Sequence, residues 1–146
     1  MKLDAHRIAS KLWVGSRPGP EACQVFDAVV LCAVEYQPKL PCHTVLRAPI
    51  DDDKLSLAEA KTVVGAARRV NELRKKGRRV LVTCNMGVNR SSLVAALALV
   101  LSGVSADDAV ARLREKRKPP SGMTPLSNKH FVRALQRAEL KLKRAA

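Results

Sequence analysis

A chain of 146 residues with 47% hydrophobic content can bury one good core, so a single domain over 1–146 is expected. Its 27 Lys and Arg against 13 Asp and Glu leave a formal charge of +14, spread along the chain, which suits a negatively charged substrate or partner. The best apolar run, SLVAALALVLSGV, is too short to span a bilayer, and the N-terminus lacks an apolar stretch with a small-residue cleavage site, so neither a membrane span nor a signal peptide is expected.

Strand and helix signals alternate along the chain without a repeat or a long linker. KLWVG (11–15) and FDAVVLCA (26–33) read as short buried strands, HTVLRAP (43–49) as a third ended by Pro49, and RRVLVT (78–83) as the fourth. Between the last two, Ser56 and Glu59 form a capping box that opens a helix. Its apolar face runs Leu57, Ala60, Val63, Val64, Ala67, Val70, Leu73, and Gly77 is placed to stop it. Strand, helix, strand in that order predicts a right-handed parallel crossover. Three more helices follow: Arg90 to Ser102 with Gly103 as stop, Ser105 to Lys118 before Pro119, and one from Asn128 with Phe131, Leu135 and Leu142 inward. The pattern predicts a three-layer α/β domain with a mostly parallel sheet of about four or five strands flanked by helices.

The four cysteines form no CxxC pair and have no His at zinc-finger spacing. Cys23, Cys32, Cys42 and Cys84 are therefore expected as reduced thiols of a cytoplasmic protein, with no metal and no cofactor, and Cys32 as a core residue of its strand. Oxidation would join Cys84 to Cys32 or Cys42 only if the fold brought them within bonding distance.

Cys84 stands where RRVLVT ends and a helix is about to begin, and ligands of parallel sheets bind beyond the carboxyl ends of the strands. The backbone N–H groups of Asn85, Met86, Gly87, Val88, Asn89 and Arg90 can curl into a cradle there, with Gly87 supplying the torsions such a turn needs. The helix N-terminus adds its partial positive charge, so the place suits an anion and favours a thiolate over a thiol. Arg90 can grip two oxygens of a tetrahedral anion with its planar fork, and Ser91 can offer a hydroxyl to the sulfur.

This C-x5-R-S stretch, Cys84 to Ser91, resembles the phosphate loop of cysteine-dependent protein tyrosine phosphatases, and the chain's length resembles their small dual-specificity branch. LWVGS, GRRVLVTC and SNKHF resemble the family's opening strand, nucleophile strand and last-helix start. The resemblance implies a nucleophile at Cys84, an oxyanion grip at Arg90 and a general acid on a loop about thirty residues upstream, where Asp51, Asp52 and Asp53 compete. The family pattern of proline, apolar residue, acidic residue and acid maps onto Pro49, Ile50, Asp51 and Asp52, which selects Asp52. Arg117 falls where related phosphatases carry a basic residue for a second anion. Thr83 departs from the family, which places a histidine before the nucleophile. Asn89 is also less usual before the arginine, although its amide can brace the loop.

The resemblance implies phosphate monoester hydrolysis with phosphoproteins as the favoured substrate; RNA 5′-phosphates, phosphoinositides and a phosphate-binding pseudophosphatase are the alternatives. A nucleic-acid-binding module is not favoured, since only 3% of residues are aromatic and no recognition motif is present.

Overall fold

In a computed structural model describing residues 3–146, the alternating pattern becomes β1 (Ala5–Ala9), β2 (Leu12–Gly15), α1 (Ala22–Val25), β3 (Ala28–Ala33), β4 (Thr44–Ile50), α2 (Leu57–Lys75), β5 (Val80–Thr83), α3 (Arg90–Leu101), α4 (Ala106–Lys116) and α5 (Lys129–Ala145). The strands form one sheet in the order β1-β2-β5-β3-β4, parallel except for the antiparallel β1–β2 pair. The sequence pattern missed β1, whose AHRIA buries only Ile8, and α1, which is a single turn.

Pro49 does not end its strand, contrary to expectation: β4 continues to Ile50, which pairs with Ala33. The strand lies at the edge of the sheet, where a missing N–H need cost no ladder bond.

Strand β5 runs between β2 and β3 and all four of its residues are buried. On one face, Val14, Val30 and Val82 belong to the main core with helices α2 to α5. Helix α3 is buried from Arg90 to Val100, which explains why it is apolar on every side. Helix α2 begins as expected: Ser56 accepts from Glu59 N, and Glu59 Oε1 accepts from Ser56 N at 3.0 Å. Two expected core positions lie outside it. Leu57 is 76% exposed because it precedes the inward stripe Val63, Ala67, Val70 and Leu73, and Leu142 is 41% exposed because α5 runs on past its buried anchors Phe131 and Leu135.

The other face of the sheet is covered thinly, by α1 and the segment before β4 around Phe26, Val29, Leu31 and Leu81. Trp13 packs edge-on against Phe26, ring centroids 5.3 Å apart. Here the expectation of four reduced thiols is corrected: Cys23 and Cys42 are joined in a disulfide, their Cα atoms 4.5 Å apart. Sequence spacing hid the pair, because 19 residues and a whole strand separate its members. Cys42 is thus already engaged, while Cys32 and Cys84 are free and buried. No helix among the described residues is long and apolar enough to cross a membrane.

Candidate active site

Four parallel strands end along one edge of the sheet, and each is followed by a side chain able to do chemistry: Arg17 after β2, Glu35 after β3, Asp52 after β4 and Cys84 after β5. That edge is where a parallel sheet places its ligand.

The loop from Cys84 to Arg90 is shaped by where its carbonyls point. Arg117 donates to Met86 O and Gly87 O, each at 3.0 Å, and Leu126 N donates to Val88 O at 2.9 Å. Three successive carbonyls are thus drawn toward Arg117 and Leu126. In a trans peptide the N–H points opposite to the C=O, so the N–H groups of Gly87, Val88 and Asn89 turn the other way, into the loop. Gly87 carries a positive φ of 67°, and a Cβ there would meet the Arg117 guanidinium and come within 2.8 Å of Gly15 O.

Arg90 closes the loop with its plane fixed. Its NH1 and NH2 form a two-pronged ion pair with Glu35, at 2.5 and 2.6 Å, and NH1 also donates to Ile50 O at 3.2 Å. This uses three of the five N–H groups of a guanidinium and leaves Nε and one NH2 proton along the adjacent edge for two oxygens of an anion. The Arg90 guanidinium holds the Glu35 carboxyl at about 2, below the ordinary 4.5, against the opposing effect of burial. Glu35 in turn raises the Arg90 pKa. Glu35 was not anticipated; its only sequence signal is an acidic residue just past the carboxyl end of an apolar strand.

Cys84 is buried, and Ser91 Oγ lies 3.1 Å from its sulfur. Thr83 turns its hydroxyl away from the loop and donates to Val30 O at 2.8 Å. Cys32 is fully buried nearby; burial pushes its thiol well up, Cys84 adds to the effect and Arg90 opposes it.

Among the three competing aspartates, only Asp52 has its carboxylate tied to the loop. Its oxygens accept from Asn89 Nδ2 at 3.0 Å and Asn128 Nδ2 at 2.9 Å. Asp53 Oδ1 accepts from the neighbouring Lys54 N, and Asp51 donates its backbone N–H to Glu59 Oε2 at 2.9 Å. The capping glutamate of α2 therefore also anchors the acidic loop. Asn89 braces the arrangement, since its Oδ1 accepts from Asn128 N at 3.0 Å and Ser127 Oγ at 3.3 Å.

Arg117 does not face a second anion, which corrects the expectation for it. The side chain is fully buried behind the loop, in a two-pronged pair with Asp4 at 2.7 and 2.9 Å. NH1 also lies 3.0 Å from His6 Nδ1, which accepts because a guanidinium only donates. Every nitrogen of Arg117 has a partner inside the protein, so its charge is spent on loop shape. Burial works against ionisation of Asp4, yet hydrogen bonds from Arg117 and Ser16 and the nearby cations bring its pKa below the ordinary value. Among the described residues no cluster of His, Cys, Asp and Glu could hold a metal ion.

A buried thiol beside inward-turned amides, an arginine with one edge free and an upstream carboxylate together fit the cysteine-dependent phosphatases. The model of the dual specificity phosphatase catalytic domain matches residues 20–141, and the chain belongs to that family. The solved structure of Tk-PTP in its active form is 25% identical, with a TM-score of 0.80 over 97% of this chain and 99% of that one. Human DUSP28 is 22% identical, with a TM-score of 0.81 over 98% of this chain and 97% of that one. The human tyrosine phosphatase-like serine/threonine/tyrosine-interacting protein is 19% identical, with a TM-score of 0.76 over 99% of this chain and 100% of that one. No curated protein sequence matches the chain.

Proposed function

We propose that the protein hydrolyses phosphate monoesters of phosphoproteins through a phosphocysteine on Cys84. The observation that carries this reading is the outward turn of the Met86, Gly87 and Val88 carbonyls, which leaves an amide-lined cradle beside the buried sulfur.

In the first step the Cys84 thiolate attacks phosphorus in line with the leaving oxygen. An S–P bond forms, the P–O bond breaks, and Asp52 gives its proton to the departing alkoxide or phenoxide. The loop N–H groups and the free edge of Arg90 hold the three equatorial oxygens, which carry the transition-state charge. In the second step water attacks the phosphocysteine, Asp52 takes its proton, and the S–P bond breaks to release inorganic phosphate. Ser91 stabilises the sulfur as it leaves, from the 3.1 Å position it already holds. Each proton and electron pair is accounted for by groups of this chain and water.

A free, nucleophilic Cys84 needs reducing surroundings, so the reading assigns the cytoplasm. One observation favours a second reading: the Thr83 hydroxyl is committed to β3, so the residue before the nucleophile gives the loop no side-chain hydrogen bond. That suits a chain that binds phosphate without turning it over. Hydrolysis of an aryl phosphate and a phosphopeptide in the presence of a chelator, with Cys84→Ser beside the wild type, separates the two. Turnover abolished by Cys84→Ser supports the enzyme; phosphate binding without turnover in the wild type supports the second reading. RNA 5′-phosphate and phosphoinositide run as competing substrates, because the +14 charge suits them equally.

A further inference from the structure

We infer that Arg17 forms a second anion subsite at the lip of the loop, taking a carboxylate or phosphate on the residue next to the phosphorylated one in a peptide. The inference rests on the phosphatase reading for its substrate, but binding at Arg17 does not depend on turnover.

The side chain is exposed, yet it is held in place from three directions. Its Nε donates to Asn85 Oδ1 at 2.7 Å, which fixes it to the first residue after the nucleophile. Its guanidinium lies 4.8 Å over the Tyr36 ring, and Tyr36 is itself pinned by donation from its hydroxyl to Pro18 O at 2.8 Å. Pro18 restricts the backbone of Arg17 as the residue preceding proline.

Among the described residues the charge so held has no salt-bridge partner within 4 Å. Among the described residues only its Nε is used in a hydrogen bond, which leaves the N–H groups of NH1 and NH2 to donate. Glu35 lies near enough to feel the Arg17 charge, but each of its oxygens accepts a hydrogen bond from Arg90. A free arginine loses considerable rotamer freedom when it grips a ligand, and Arg17 has given up most of that already, so an incoming anion meets an organised fork. Its attachment to Asn85 places that fork one residue from Cys84 along the loop, the neighbourhood that an adjacent side chain of a peptide reaches while the phosphate sits in the cradle. Arg117, which was expected to take a second anion, has no donor to spare, whereas Arg17 has two terminal nitrogens.

The test compares three phosphopeptides that differ only in the flanking residue, Ala, Glu or a second phosphate, for the wild type, Arg17→Ala and Arg17→Lys. The wild type prefers the anion-flanked peptides by about fivefold in kcat/KM, the order of one exposed charge pair, and the preference shrinks as salt rises. In Arg17→Ala the ratio falls to about one. Arg17→Lys keeps part of it, since a lysine cannot hold Asn85 and present a fork together. A purely structural arginine would lower all three substrates together and leave their ratio unchanged, which overturns the inference. The same peptides bound to Cys84→Ser and Cys84→Ser/Arg17→Ala give the ratio without chemistry. Arg17-dependent binding with no turnover in the wild type would uphold the subsite and overturn the enzyme reading. A preference for inositol phosphate or RNA 5′-phosphate that needs Arg17, with none among the peptides, would overturn the peptide assignment.

Discussion

The Cys84–Arg90 loop is largely buried and its outward carbonyls are met by Arg117 and Leu126, whereas Asp52, Asn128 and Arg17 are partly or fully exposed and come from three separate loops. The floor of the site is thus rigid by burial, and its rim is held by a few side-chain bonds at the surface. The contrast teaches where each kind of change should act: floor substitutions should cost stability and phosphate binding together, and rim substitutions should change rate or selectivity while the fold stands.

The largest structural effect is expected behind the floor. Arg117→Met removes a fully buried guanidinium and leaves Asp4 and two loop carbonyls without their donor, a loss of about 3 kcal/mol. The melting temperature should fall by about 10 °C, with inorganic phosphate binding lost in parallel. An unchanged melting temperature would mean that the loop keeps its shape without this support.

At the rim, Asp52→Asn should slow turnover by about a hundredfold for alkyl or phenyl leaving groups and far less for a good leaving group, with an unchanged melting temperature. The same dependence in Asp53→Asn instead would move the acid by one residue.

Glu35 joins the two regions, and its effect is set by pH. Its folded pKa of about 2 lies below the ordinary 4.5, so the carboxylate stabilises the fold fully above 4.5, and that contribution is lost as pH falls through about 2. Wild type should exceed Glu35→Gln by about 1 kcal/mol near neutrality, a modest figure because the side chain is 41% exposed. The difference should shrink between those two pH values; a constant difference across them would break the assignment.

The smallest effect concerns Ser92, whose buried hydroxyl has no hydrogen-bond partner among the described residues. Ser92→Ala should leave stability unchanged or raise it by up to about 1 kcal/mol in urea unfolding, since it removes an unsatisfied group. A clear loss would show that the hydroxyl has a partner.

The same contrast explains what could be read in the sequence. Cys84, Gly87, Arg90 and Ser91 stand within eight consecutive positions after a buried strand, so local chemistry exposes them. The capping box of α2 was legible for the same reason, but its second contact, Glu59 to Asp51 N, was not. Glu35 and Asp4 reach their arginines across 55 and 113 residues, distances over which no local pattern survives. Position in the family points to Arg117 but not to its role, because its burial depends on β1 and Asp4, which periodicity does not reveal. The Cys23–Cys42 pair was hidden likewise, since it depends on α1 folding over the thin face of the sheet.

The central claim, a covalent phosphocysteine at Cys84, is tested most directly by acid-quenching the Ser91→Ala variant during turnover of a 32P-labelled phosphopeptide. Without the hydroxyl 3.1 Å from the sulfur, breakdown of the intermediate should slow more than its formation. Label should be retained on the peptide that contains Cys84, and none should appear in Cys84→Ser/Ser91→Ala. Turnover that proceeds with no label on Cys84 at any quench time, or label on another residue, would contradict it.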